Sequence, residues 1–442
     1  MLFFIIINGI ILIIYLNKYN QAKKNLNNHT IIINKNFNIN FLDINLNNFS
    51  INSNNEKKEI NNEKKDKNKN KTIETVEDFE FACINKSATE IAQLYYETCS
   101  NGILLDKNKY KLVEIPKISI IIPIYNREKF ILRILRSIQN QSMKDFEIIF
   151  VDDFSTDSSV NLIKTYQKED ERIILIEHPK NEGTLIARND GVIKAKGEYL
   201  LFADSDDLLL PNILKASYEI ASKENYEIIL FGIFKRTLEG RYYIYNIFRE
   251  EKAIYQPELS SFMYYGLNYL KQIDFHLVGK LIRKEVFIKT INSISDYYIK
   301  NHMNVNEDGL MNFMLLKKAN SLKYINFYGY MYNTNPSSVI LTLNNDIDKT
   351  IRDYFLYLKY MIEYTDNNFH EKSMAEEQLR YVFKHFRNKM KYVTKNFQLL
   401  YNILNLYLNC TYISEDGKNK SKIMNEKIKL ADNNTKILNN TY

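Results

Sequence analysis

Tryptophan is absent, and glycine (12) and proline (6) are scarce among 442 residues, which excludes collagen-like and Pro/Gly-rich low-complexity chains. The three cysteines, Cys83, Cys99 and Cys410, are far apart and form no C-x-x-C pair. No structural zinc site or disulfide framework is therefore indicated, although a single Cys83–Cys99 bridge stays open in an oxidising compartment. None of the six histidines falls in an H-x-x-x-H or H-E-x-x-H pattern, so zincin-type chemistry has no support. An excess of one charge is also nearly missing. The net charge is +7, and residues 17–72 alone carry 11 Lys against 5 acids. The rest of the chain is close to neutral, which argues against a folded nucleic-acid groove. Asn, Lys and Ile are abundant and Tyr reaches 33. In such a composition Asn/Lys runs say little, and N-x-S/T sequons, among them those at Asn28, Asn48, Asn70, Asn85, Asn409, Asn419, Asn433 and Asn439, arise too readily by chance to settle topology.

One long apolar run is present, Leu2 to Leu16, interrupted by Asn8. Its 15 residues fall somewhat short of the roughly 20 of a usual spanning helix. No small-x-small cleavage site follows, so an uncleaved single-pass signal anchor over 1–16 is expected. The lysines after it, Lys18, Lys23 and Lys24, favour a cytosolic flank by the positive-inside rule, whereas an enzyme of the endoplasmic reticulum or Golgi lumen needs the opposite; both orientations stay open. Residues 17–72 are polar and low in complexity and read as a stalk. Over 73–116 a short helical lead-in is expected, opened by Ser87 with Glu90 three residues on, a capping-box pattern. Residues 117–345 form the expected catalytic domain. A helical subdomain is expected over 346–412, where Tyr354, Leu358 and Met361 recur at helical spacing, and a disordered tail over 413–442.

Within 117–345, apolar runs alternate with helical periodicity. ISIII (118–122) predicts a strand buried on both faces. Glu128–Gln139 then carries Ile131, Leu135 and Ile138 at helical spacing. FEIIFVDD (146–153) is a second strand, followed by a loop of capping residues and a helix through Tyr166. Strands at 173–176, 199–203 and 227–231 and a helix at 183–195 complete an α/β pattern with right-handed crossovers. Ligands of such sheets sit beyond the carboxyl ends of the strands. Two strand ends carry acid clusters there: Asp152 and Asp153, and Asp204, Asp206 and Asp207. Clustered carboxylates beside buried apolar runs call for a cation, and hard oxygen ligands suit Mg²⁺ or Mn²⁺. No G-x-G-x-x-G follows the first strand and no phosphate-loop motif occurs, so a diphosphate would have to be held through metal and side chains.

The stretch ISIIIPIYNREKFILRILRSIQNQSMKDFEIIFVDDFSTDSS and then NEGTLIARNDGVIKAKGEYLLFADSDDLLLP resembles the nucleotide-binding half of family 2 glycosyltransferases with the GT-A fold. Downstream, LVGKLIRKEVF (277–287), NEDGLMNFMLL (306–316) and YGYMYNTNPSSVI (328–340) continue the likeness over about half the chain. The resemblance implies an α/β GT-A domain with a mixed, mostly parallel sheet, to which the anchor and the helical subdomain are added. It implies an inverting, metal-dependent transfer from a UDP-sugar donor to a hydroxyl of a glycan, glycoprotein or lipid acceptor. Pro123 and Tyr125 would border the nucleobase and Asp153 would read uracil. Asp204 and Asp206 match the D-x-D pair, with Asp206 the more direct metal ligand. Arg188 would be the donor-side cation and Asp207 an outer neighbour of the metal. Glu307 and Asp308 resemble the catalytic pair, with Asp308 as general base. For Lys280 and Arg283, packing explains the residues as well as function does, and Asn335, Ser337 and Ser338 fit either a mobile phosphate-side loop or a plain turn. Phe154 departs from the small residue common after the Asp pair, so the turn there should differ. Two alternatives stay open: transfer to a polyprenyl phosphate, and an inactive module that binds nucleotide-sugar or glycan. A nucleotidyltransferase lacks its usual Gly-rich basic loop here.

Overall fold

In a computed structural model of the chain, the structure describes residues 88–103, 110–245, 251–259, 276–295 and 307–335, together with 353 and 356–357. All belong to the unit Ser53–Tyr442. The segments expected as anchor (1–16) and stalk (17–72), Ser87, Ser337 and Ser338, and nearly all of 346–442 lie outside the described residues. Of the expected helical subdomain the description includes Asp353, Leu356 and Tyr357, all buried. Among the described residues no helix is long and apolar enough to cross a membrane.

The first half follows the hydrophobic pattern closely. Strands β1 (Ile118–Ile124), β2 (Phe146–Asp152), β3 (Ile173–Glu177) and β4 (Tyr199–Phe202) pair in parallel in the order β3-β2-β1-β4. All seven residues of β2 are buried, which is why its sequence shows a continuous apolar run rather than an alternation. Five isoleucines of β1 are at most 2% exposed, each stabilising the core by about 1.5–3 kcal/mol. Helix α1 (Ala88–Ser100) precedes the sheet; α2 (Glu128–Gln139), α3 (Ser159–Gln167) and α4 (Thr184–Lys194) are the crossovers. Cys99, in α1, is a buried free thiol, pushed up to about 12 chiefly by burial, so it is a packing residue rather than a nucleophile.

The second half corrects the expectation of a mostly parallel sheet. The strands β5 (Leu208–Leu209), β6 (Ile228–Arg236), β7 (Tyr242–Tyr245), β8 (Lys252–Tyr255), β9 (Lys280–Arg283) and β10 (Ser321–Asn333) extend it, interleaved with α5 (Ile213–Glu224), α6 (Lys284–Asn292) and α7 (Glu307–Lys318). Four pairings are parallel and five antiparallel. The decisive insertion is β9, antiparallel between β4 and β6. An apolar run announces burial, but not the direction of the neighbour that buries it. Strand β10 carries two register shifts, between Ile325 and Tyr328 and between Tyr328 and Tyr330, which re-aim its last residues.

Helix α4 lies against the sheet because Gly191 permits it: a Cβ there would come within 2.6 Å of Ile121 and 3.3 Å of Val151. Arg188, three residues earlier and so on the same face, is drawn beneath the helix and is 3% exposed. After Asp153 the chain turns with Phe154 at φ 71° and its ring half exposed. A bulky side chain in the left-handed region costs about 1–2 kcal/mol, so the departure noted in the sequence is a strained turn. Phe154→Gly is expected to raise stability by about 1 kcal/mol, a rise of about 2–4 °C in a thermal melt; an unchanged or lower melting temperature would mean that the ring contributes contacts worth as much as the strain.

Candidate active site

Four segments distant in sequence meet beyond β1, β2 and β4. At the end of β4 the chain is braced from β10: the Asp204 backbone N–H donates to Tyr330 Oη (3.0 Å), Tyr330 Oη donates to Asp207 Oδ2 (2.6 Å), and the Asn333 N–H donates to Asp207 Oδ1 (2.7 Å). Asp207 is thus sealed, 1% exposed, and held well above the usual carboxylate range by burial first and by Asp206 and Asp204 second. It shapes the loop. Asp206 is fixed through its carbonyl, which accepts from Arg133 (2.8 Å), and through Oδ2, which accepts from Asn335 Nδ2 (3.0 Å). Asp204 Oδ1 accepts from Arg188 (2.9 Å).

Arg188 joins this loop to the start of α7. Its guanidinium donates to Asp308 Oδ1 as well as to Asp204, and stands 3.6 Å from Glu307 Oε1. Asp308 Oδ2 accepts the Leu277 N–H (3.1 Å) and lies 3.9 Å from His276 Nδ1; the His276 ring stacks on Tyr332 at 5.6 Å. Burial alone would lower the Arg188 pKa, but Asp308, Asp204 and Glu307 outweigh it and hold the charge firmly on. Glu307 is pushed up to about 8, first by burial and then by repulsion from Asp308, with Arg188 opposing. Asp204 is likewise raised by burial and by its acid neighbours against the pull of Arg188, with 32% of its side chain exposed. An arrangement of this kind can stabilise developing negative charge at Arg188 and accept a proton at the neighbouring acids.

The metal expected at the D-x-D pair fits these residues. Asp204 and Asp206 each keep one carboxylate oxygen free of any protein hydrogen bond among the described residues, and the raised Asp204 marks a site short of positive charge. Oxygen donors of this type suit Mg²⁺ or Mn²⁺.

Asp153 is 5% exposed at the end of β2. Its Oδ1 accepts from His178 Nδ1 (3.0 Å) and the Glu182 N–H (2.7 Å), and its Oδ2 from the Gly183 N–H (2.8 Å). A carboxylate oxygen takes two bonds, so Oδ2 retains room for one more donor. Tyr125 follows β1 and is 46% exposed, available as a stacking surface, while Pro123 is an internal β1 residue. The loops after β1 and β2 are tied together by Asn126 N–H to Ser155 Oγ (2.9 Å), Arg127 N–H to Ser159 Oγ (2.8 Å) and Glu128 N–H to Asp157 Oδ2 (3.1 Å). Arg283 lies at the other end of β4, bonded to Glu198 (2.9 Å) and to the Tyr199 hydroxyl. Lys280 is buried and donates to the His276 carbonyl. Packing therefore accounts for both.

Sequence reasoning assigned no role to Tyr330, Asn333, Arg133 or His276. Tyr330 and Asn333 stood in a quoted motif, but only the β10 register shifts aim them at Asp207. Asp152, the other acid at the end of β2, accepts the Ser155 N–H at Oδ2 (3.1 Å), and its buried Oδ1 has no hydrogen-bond partner among the described residues.

Residues 119–291 match the family model described as Glycosyl transferase family 2. The chain is 30% identical over 225 residues to EpsJ of Bacillus subtilis, named an uncharacterized glycosyltransferase, covering 51% of this chain and 63% of that protein. It is 34% identical over 219 residues to the poly(ribitol-phosphate) beta-glucosyltransferase of Bacillus spizizenii, covering 49% of this chain and 32% of that protein. The match therefore spans less than two thirds of either relative. Among solved structures, S. aureus TarS 1-349 in complex with UDP-GlcNAc superposes with a TM-score of 0.56 at 19% identity, over 71% of this chain and 89% of that one. The same protein in complex with UDP gives 0.54 at 20% identity, over 71% and 88%. At that identity the likeness concerns the fold, which is of the GT-A type. Over residues 119–291 the chain is thus similar to family 2 glycosyltransferases.

Proposed function

We propose that the protein is an inverting glycosyltransferase that moves a sugar from a UDP donor to a hydroxyl of a glycan, glycoprotein or lipid acceptor. The observation that carries this reading is the convergence of Asp204 and the Glu307–Asp308 pair on one buried arginine, Arg188. The UDP and UDP-GlcNAc complexes of TarS support the donor class. Tyr125 would flank the nucleobase and the free lone pair of Asp153 Oδ2 would accept its imino proton. Asp206 and Asp204 would hold Mn²⁺ or Mg²⁺, which supplies charge neutralisation for the leaving diphosphate. Asp308 would take the proton of the acceptor hydroxyl as its oxygen bonds the anomeric carbon and the electron pair of the old bond leaves with the diphosphate. Glu307, adjacent to Asp308, would keep that carboxylate in place. The apolar run at 2–16 would attach the enzyme to a membrane.

Hydrolysis of a panel of UDP- and GDP-sugars by the full chain, with Mn²⁺ or EDTA, tests the reading. One UDP-sugar should be turned over in a metal-dependent way, and Asp206→Ala should reduce that turnover on the order of 10²-fold. Absence of any nucleotide binding would overturn it. Tight metal-dependent UDP binding without turnover on any acceptor would instead identify a binding module, and turnover with phosphate acceptors alone would identify a polyprenyl-phosphate transferase.

A further inference from the structure

A second group of polar side chains lies on the flank of α4 and touches the site above only where His178 Nδ1 and the Glu182 N–H bond Asp153. His178 follows β3, Glu182 precedes α4 and Asp190 lies within α4. Asp190 is two residues from Arg188, about 200° around the helix, so the two side chains leave α4 on different sides. One ligand atom from each of His178, Glu182 and Asp190 lies within 4.8 Å of the others.

His178 makes this cluster more than a group of acids. Its side chain is 5% exposed, and its Nδ1 sits 3.0 Å from Asp153 Oδ1. An ionised carboxylate can only accept, so Nδ1 carries the proton, and in the neutral ring Nε2 is left with a lone pair. That buried Nε2 has no hydrogen-bond partner, yet it stands 3.1 Å from Asp190 Oδ2. A nitrogen lone pair facing a carboxylate oxygen at this separation is repulsive unless something positive lies between them. Ligands about 2.0–2.1 Å from a tetrahedral zinc ion are about 3.3 Å apart, close to the observed spacing. A carboxylate that holds the far nitrogen of an imidazole is also the usual outer partner of a metal-bound histidine, fixing its tautomer and orientation. Here Asp153 has that place. Glu182, 25% exposed, is neighboured on the solvent side by Lys180 Nζ at 3.3 Å, whose own side chain is 70% exposed and free to swing away.

We propose that His178 Nε2 and the carboxylates of Glu182 and Asp190 form a site for a divalent transition metal of the zinc type, separate from the D-x-D metal. A bound ion would tie the end of β3 to α4 and rigidify the segment 178–183. The backbone N–H groups of Glu182 and Gly183 in that segment hold Asp153. The site needs no sugar nucleotide, so it stands or falls apart from the reading of the active site.

Cobalt(II) is a suitable probe, because a nitrogen–oxygen tetrahedral site gives visible absorption bands that hexaaqua cobalt lacks. The full chain, stripped of metal, is titrated with Co²⁺ and then with Zn²⁺ as competitor, beside Asp190→Asn, His178→Gln and Asp206→Ala. Wild type and Asp206→Ala should each bind one Co²⁺ with tetrahedral bands that Zn²⁺ displaces. Asp190→Asn and His178→Gln should weaken it at least 10–100-fold. Asp190 is partly exposed at 36%, so its variant should keep the wild-type far-ultraviolet spectrum and report on ligation alone. Bands that persist in Asp190→Asn, or that vanish in Asp206→Ala, would overturn the proposal. So would their absence in wild type, which would assign the gap between His178 and Asp190 to a second ring proton.

Discussion

Asp308→Asn should lower kcat by about 10² to 10⁴ while leaving the affinity for the sugar nucleotide nearly unchanged, because it removes the proposed proton acceptor and keeps the side-chain size. The asparagine amide oxygen can replace only one of the two acceptors of Asp308, so if it keeps the Leu277 N–H that Oδ2 now accepts at 3.1 Å the bond from Arg188 is lost, while Arg188 keeps Asp204 at 2.9 Å. The loss should therefore appear in the chemical step rather than in binding. Glu307→Gln is the necessary companion, since Glu307, pushed up to about 8, has the proton affinity suited to a base near neutral pH. A loss of under tenfold in Asp308→Asn, together with collapse of turnover in Glu307→Gln, would transfer the role of base to Glu307. Single-turnover kinetics with donor in excess separate the two.

Arg188→Gln should be the most destabilising single change at the site, by about 3–5 kcal/mol near pH 8, because it strips the counter-charge from three carboxylates and leaves them facing one another. In a thermal melt this corresponds to a fall of roughly 6–20 °C. The pH dependence has a definite sign. Glu307 titrates near 8 in the folded chain and near its ordinary value of 4.5 when unfolded. Between those values the folded state holds a proton that the unfolded state has released. Stability therefore falls as pH rises through that window, and the raised Asp204 and Asp207 act in the same direction. Without the guanidinium that opposes the shift, the slope should steepen, so the deficit of Arg188→Gln should be smaller at pH 5 than at pH 8. A deficit below about 1 kcal/mol at pH 8, or one that grows on acidification, would show that the arginine does not hold the acids together.

Local pattern carried the first half of the fold into view. Residues 118–202 contain four apolar runs separated by helical periodicity, and each run became a strand within about two residues of its expected ends. The acids at those strand ends were legible because polar residues directly after a buried run have few other reasons to be there. The second half was less legible. KLIR (280–283) is a short mixed segment whose Lys280 and Arg283 drew the eye as charges, yet it is the strand that turns the sheet antiparallel. Tyr330 looked like one tyrosine among many until the register shifts of β10 set its hydroxyl on Asp207.

The sequence by itself determined which runs are buried, where strands give way to acid-bearing loops, and which family the core segment resembles, since these follow from periodicities of two and 3.6 residues and from short contiguous motifs. Only the tertiary structure decided that Arg188 faces Asp204, Glu307 and Asp308 together, that Asp207 is sealed while Asp206 retains a free oxygen, and that His178 lies between Asp153 and Asp190. Those relations join residues up to 129 positions apart. They depend on strand direction, on a bulge and on a glycine that lets one helix approach the sheet, none of which leaves a periodic mark in the chain.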